Sequence, residues 1–115
     1  MENITREIRE EEIDLLKYML ELAGHTLNQF PPIKEVYEYE GGKMGSIHFI
    51  GSNPDTYLGD IMQIEFNDTD NTRVVVTLTV DKDQRLLDLD FWKEDFSKLL
   101  QYPKPSEVKK AEGIL

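Results

Sequence analysis

An α+β domain, with one N-terminal helix packed on an antiparallel meander sheet of about five strands and a short C-terminal helix or irregular cover, is the fold this sequence predicts. Three observations carry the expectation. The chain has 115 residues, 39% of them hydrophobic, which suits one core rather than two. Apolar residues recur at helical spacing only near the N-terminus. From Lys34 onward they recur at a spacing of two, between clusters of turn-forming residues.

Thr5 is placed to cap a first turn, and Glu7, Glu10, Glu11, Glu12 and Asp14 set negative charge at the positive end of a helix dipole. Ile13, Leu16, Met19, Leu20 and Ala23 then form one apolar stripe, and Gly24 is placed to end it, so a helix is expected over about 8 to 23. The glutamates read as its solvated face. Pro31 and Pro32 hold the following connector extended.

Strands are expected over Lys34 to Glu40 and Lys43 to Ile50, joined by a tight turn at Gly41-Gly42. After a loop containing Asn53-Pro54, a third strand runs from Tyr57 or Leu58 to Asn67. Asp68-Thr69-Asp70-Asn71 turns the chain into a central strand, Arg73 to Val80. Asp81-Lys82-Asp83-Gln84 turns it again into Arg85 to Trp92, where Leu87, Leu89 and Phe91 alternate with Asp88, Asp90 and Trp92. Short connections favour pairing between neighbours in sequence, hence the meander. Residues 1–105 are read as the single domain and 106–115 as a flexible C-terminal tail.

Composition narrows the function classes. The absence of cysteine excludes disulfides, thiolate nucleophiles and cysteine-based zinc sites. The acidic N-terminus lacks the basic and apolar regions of a secretory signal, and no apolar run is long enough to span a bilayer, so a cytoplasmic location is expected. Thirteen Lys and Arg against 23 Asp and Glu give a formal charge of -10, which repels phosphate backbones and anionic lipids. Neither nucleic acid nor membrane is expected as a partner; a basic protein is.

Side chains with chemical capacity are few. Ser46 and His48 share one side of a strand, as do Asp88 and Asp90 on another, so a Ser, His, Asp cluster is conceivable, although nothing resembles a nucleophile elbow. Asp88, Asp90, Glu94 and Asp95 crowd carboxylates around Trp92. The turn at Asp68 lacks the glycine and closing glutamate of a calcium loop, and His25 and His48 are the only histidines. No metal or cofactor is therefore assigned, and no catalytic residue. Trp92, with Phe91, Phe96, Leu99, Leu100 and Tyr102, reads either as the seal between sheet and C-terminal segment or as an exposed recognition patch.

Three segments carry a family likeness: Gly41-Gly42-Lys43-Met44-Gly45-Ser46-Ile47, Glu65-Phe66-Asn67-Asp68-Thr69-Asp70, and Leu87-Asp88-Leu89-Asp90-Phe91-Trp92-Lys93-Glu94-Asp95-Phe96. From about Arg6 to Pro103 the chain resembles a family of small bacterial domains of unknown function with Gly-Gly-Met-Gly-Ser, Phe-x-Asp-x-Asp-Gly and Glu-Leu-Asp-x-Trp-Lys-x-Asp-Phe landmarks. It departs from them by inserting Lys43, by Asn71 in place of glycine and by Asp88 in place of glutamate. Asn71 tolerates a left-handed turn nearly as well as glycine, so the hairpin is expected to survive. The resemblance implies a bacterial, cytosolic, single-domain protein and lends no catalytic residues.

The expectation these observations favour is a non-enzymatic acidic protein-binding module, of an immunity or antitoxin type, using Asp88, Asp90, Trp92, Glu94 and Asp95. Two other readings come from other classes. One is a small-molecule or metal-dependent enzyme with a pocket between helix and sheet, using Ser46, His48 and nearby carboxylates. The other is a structural homodimer paired through a sheet edge or helix face.

Overall fold

The structure, a computed structural model, describes residues 5–31, 34–39, 43–52 and 54–111. Strand β1 (Thr5–Glu7) precedes helix α1 (Glu10–Leu22), and β2 (Glu35–Glu38) and β3 (Ile47–Phe49) follow. A 3-10 turn at Pro54–Thr56 leads into β4 (Tyr57–Asn67), β5 (Arg73–Asp81) and β6 (Leu86–Lys93), and a second at Pro105–Glu107 leads into β7 (Lys109–Lys110). The Gly41-Gly42 turn, Pro32 and Asn53 lie outside the described residues.

The fold is α+β as expected, but among the described residues the sheet has seven strands rather than about five, and it is not a meander. Its order is β1-β2-β3-β6-β5-β4-β7, every pair antiparallel. Strand β3 therefore pairs with β6 instead of its sequence neighbour β4. The physical reason is side-chain matching in the centre of the sheet. The β6 carboxylates meet His48 and Ser46 from the β3 segment on one face, while Leu89 sits opposite Ile47 on the other.

Thr5 does not cap the helix; it lies in β1 opposite Tyr37 of β2. The helix starts one turn later, where the Glu12 carboxylate accepts a hydrogen bond from the Arg9 N–H at 2.8 Å. Glu12 is also buried, not solvated, because the Arg6 guanidinium bonds both its oxygens at 2.9 and 2.7 Å. Gly24 ends the helix as expected. Its φ of 83° lets the His25 N–H reach Leu20 O at 2.8 Å and the Gly24 N–H reach Glu21 O at 3.0 Å.

The apolar face of α1 packs Leu15, Leu16, Met19 and Leu20 onto one sheet face, against Phe49, Ile64, Val76, Leu78 and Phe91 among others. Leu15 rather than Ile13 completes the stripe, a rotation set by Glu12 turning inward to Arg6. Each such side chain contributes roughly 1.5–3 kcal/mol on full burial, so this face holds the domain together. The segment after β6 is irregular. Leu99 and Tyr102 pack against the core from it, and Val108 and β7 follow on the outer edge of β4.

Candidate functional site

The sheet face away from α1 presents Tyr37, His48, Asp88, Asp90, Thr77 and Trp92, because successive side chains of a strand alternate between faces. It divides into two halves. At the β2–β3 side the polar groups are enclosed and paired, and at the far end of β6 aromatic rings stand in solvent.

In the enclosed half, His48 Nδ1 lies 2.8 Å from Asp88 Oδ1, and the Tyr39 hydroxyl donates to the same oxygen at 2.8 Å. Burial, followed by that hydrogen bond to Asp88, pushes the Tyr39 hydroxyl well above its ordinary pKa. The Tyr37 ring centroid sits 4.9 Å from that of His48, and His48 is buried. Ser46 is not part of this group. Its hydroxyl takes the Phe91 N–H at 2.8 Å and lies 3.2 Å from Asp90 Oδ1, so Ser46 and His48 serve two different carboxylates.

The hydroxyl near the imidazole is that of Ser52, 3.5 Å from His48 Nε2, and it donates to the Phe49 carbonyl at 2.6 Å. A nucleophile of an acyl-transfer triad must direct its proton to the imidazole. Here the carbonyl takes it, so the cluster anchors β2, β3 and β6 to one another.

The landmark residues resolve into a second anchor. The Lys93 ammonium is 1% exposed and donates to Asp68 Oδ2, Asp70 Oδ2 and the Lys98 carbonyl, each at 2.9 Å. Asp68 also accepts the N–H groups of Thr69, Leu100 and Gln101 at 2.7, 2.8 and 3.1 Å. Burial opposes the charge on Asp68, but the Leu100 and Thr69 N–H groups and the Lys93 ammonium outweigh it and hold its carboxyl below the usual range. The turn between β4 and β5 that supplies both aspartates closes through Asn71 at φ 65°, as the sequence led us to expect. Gly45, at φ 96°, leaves room for Leu99, whose Cδ2 would lie 3.1 Å from any added Cβ. The described residues of the three landmark segments thus form one structural lock on the chain after β6.

Beyond that lock the exposed half begins. Trp92 is 40% exposed and Phe96 60%, their rings meeting edge to face with centroids 6.2 Å apart. Leu100 is exposed as well, whereas Phe91 is buried and Leu99 and Tyr102 pack on the core. The aromatic group read from sequence as either seal or patch therefore divides: Phe91, Leu99 and Tyr102 seal, while Trp92, Phe96 and Leu100 face water. Phe96 also has φ 61°, a left-handed conformation that costs a bulky residue roughly 1–2 kcal/mol.

Carboxylates flank these rings. Glu94 lies 3.6 Å from Arg73, which also bonds Glu65 at 2.7 Å. The Asp95 carboxyl, lowered by the hydroxyl and N–H of Ser97, caps the turn that carries Phe96. Asp90 stands in solvent at the middle of the sheet. Protein crowds its carboxyl on the inner side, and that burial, with neighbouring Asp88, pushes it above the ordinary range against the lowering effect of the Ser46 hydroxyl.

Among the described residues no group of three or more His, Cys, Asp or Glu side chains is arranged to hold a metal ion, and no helix is long and apolar enough to cross a membrane. Between helix and sheet the apolar side chains of α1 join those of the strands in one buried cluster. The largest cavity described, about 470 Å³, lies instead among His25, Gln29, Phe30, Leu58, Val80 and Gln84 at one end of the sheet, away from His48 and the β6 carboxylates.

Sequence reasoning reached Asp88, Asp90, Trp92, Glu94 and Asp95 but missed Tyr37 and Tyr39, which enter through pairings distant in sequence, and Ser52, which reaches His48 from four residues along the chain. It also passed over Lys93. Continuing the inward parity of Leu89 and Phe91 by two residues would have pointed to it.

A family model described as Domain of unknown function (DUF6984) matches residues 5–103, and the chain belongs to that family. No curated protein and no solved structure matches it.

Proposed function

We propose that this member of a family without an assigned activity is a non-enzymatic binding module, whose exposed end of β6 docks a basic surface of another protein. The observation that carries the reading is the outward placement of Trp92 and Phe96 among Asp90, Glu94 and Asp95. Leaving two fifths of an indole in water forgoes on the order of 1–2 kcal/mol of burial. Phe96 adds backbone strain to an exposed ring. Folding gains nothing from either, whereas a central aromatic ringed by charge is what a binding hot spot requires. A net charge of -10 further favours a basic partner and speeds its approach.

Within this reading the protein is bacterial and cytosolic, and of the immunity or antitoxin type, shielding the basic site of a toxin enzyme. Affinity capture from its host's lysate at low and moderate salt, run beside the Trp92→Ala variant, tests it. A stoichiometric basic partner that salt weakens and Trp92→Ala loses is the expected result. Recovery of the protein alone, or a partner indifferent to Trp92→Ala, would overturn the reading.

A further inference from the structure

On the face of β6 that carries Trp92, one carboxylate is placed beside the indole with no cationic partner among the described residues. Glu94 is occupied by Arg73, Asp88 by His48 and Tyr39, and Asp95 by the turn at Ser97. Asp90 is exposed, and among the described residues no Lys or Arg pairs with it; its partner is the Ser46 hydroxyl at 3.2 Å. Two residues along the same strand, on the same face, stands Trp92 with its indole open to solvent and braced at the edge by Phe96. Alternate residues on one face lie roughly 6.5–7 Å apart along a strand, about the reach of one guanidinium spanning a ring face and a carboxylate.

We infer that Asp90 and Trp92 together receive an arginine side chain of the docking partner, its guanidinium stacked on the indole and paired with the Asp90 carboxylate. The inference rests on the docking reading above and adds to it which residue type is recognised. Arginine suits the site better than lysine because its planar fork can stack and pair in a single pose, whereas an ammonium is a hydrated point charge. The crowding that disfavours an isolated charge on Asp90 is relieved when a cation arrives. The Ser46 hydroxyl, fixed by the Phe91 N–H at 2.8 Å, aims the carboxylate while its other oxygen remains for the ligand.

Trp92 is the only tryptophan in the chain, so its emission reports on the site directly. The probe is the blocked peptide acetyl-Gly-Arg-Gly-amide, titrated beside its lysine and citrulline counterparts. The expected result is a saturable change of emission with the arginine peptide, about fivefold weaker binding of the lysine peptide, and none of the neutral citrulline peptide. Asp90→Asn should weaken the arginine peptide about tenfold, whereas Asp14→Asn on the exposed side of α1 leaves it unchanged. Equal response to all three peptides, no saturable response, or wild-type affinity in Asp90→Asn would overturn the inference. The peptide comparison needs no variant, so it decides the matter even if Asp90→Asn folds poorly. A captured basic partner lost by Trp92→Ala but held undiminished by Asp90→Asn would remove the arginine assignment and leave the docking reading standing; one held by both variants would remove the two together.

Discussion

Trp92 and Lys93 are neighbours in the chain and opposites in the fold. The tryptophan at the end of β6 faces water, and the lysine beside it is buried on the side of the core. Ordinary partition would reverse them. The inversion of Lys93 has a full structural account. Burying an ammonium costs several kcal/mol unless it is paired and hydrogen-bonded, and Asp68, Asp70 and the Lys98 carbonyl meet that condition at 2.9 Å each. The inversion of Trp92 has no such account within the fold. One residue explains how the chain after β6 is held; the other points outside the molecule.

The sharpest way to break this contrast is to remove the buried acid. Asp68→Ala removes the more buried of the two carboxylates on Lys93, leaving it Asp70 and the Lys98 carbonyl, and strips the N–H groups of Leu100 and Gln101 of their acceptor; it should cost about 3 kcal/mol, measured by urea denaturation. A loss below about 1 kcal/mol would mean that the lock is ornamental, and the contrast with Trp92 would lose one side.

Titration probes the same side. Because the Asp68 and Asp70 carboxyls lie below their ordinary values, the unfolded chain takes up protons first as pH falls. The lock's contribution is therefore complete above the ordinary carboxylate range and is lost as pH falls through the depressed folded-state values. Acid unfolding of the wild type, compared with Asp68→Ala, should show a smaller pH dependence in the variant. At the alkaline end the sign reverses: burial works to lower the Lys93 ammonium, but its two aspartates outweigh that and raise it, so its contribution holds below the ordinary lysine value and fades as pH rises through the folded one.

Gly45→Ala tests whether the first landmark belongs to that lock. A side chain there must adopt φ 96° and push on Leu99, which should cost about 1–2 kcal/mol in the same assay.

The smallest expected stability effects fall on the exposed side. Trp92→Ala should change folding stability by less than about 1.5 kcal/mol while weakening the docked partner at least about tenfold. Phe96→Gly should be within about 1 kcal/mol of wild type, since relief at φ 61° offsets the lost edge contact with Trp92. Losses of folding stability at Trp92 or Phe96 as large as at Asp68 would place the two halves in one structural unit and remove the case for a binding face.

Much of this was legible in the residues. The alternation of Leu87, Leu89 and Phe91 with Asp88, Asp90 and Trp92 marks β6 and separates its inward and outward sets from Asp88 onward, because a pleated strand has a period of two. Turn chemistry at Asp68 to Asn71 and the glycine stop at Gly24 are local, and local rules found them. Strands β1 and β7 were not legible, since neither Thr5–Glu7 nor Lys109–Lys110 lies in a stretch of alternating apolar residues, and both exist only through the partners they pair with.

By itself the sequence determined an α+β fold, the position of its helix and of strands β2 to β6, and an acidic cluster around a single tryptophan, because periodicity, turn residues and charge are properties of short stretches of chain. The tertiary structure alone decided the strand order that sets β3 beside β6, the enclosure of His48 under Tyr37 and Tyr39, the capture of Lys93 by Asp68 and Asp70, and which face of the sheet the helix leaves uncovered. Each of these depends on residues 9 to 49 positions apart. Their meeting is fixed by which apolar surfaces can be buried together, and no local pattern encodes that.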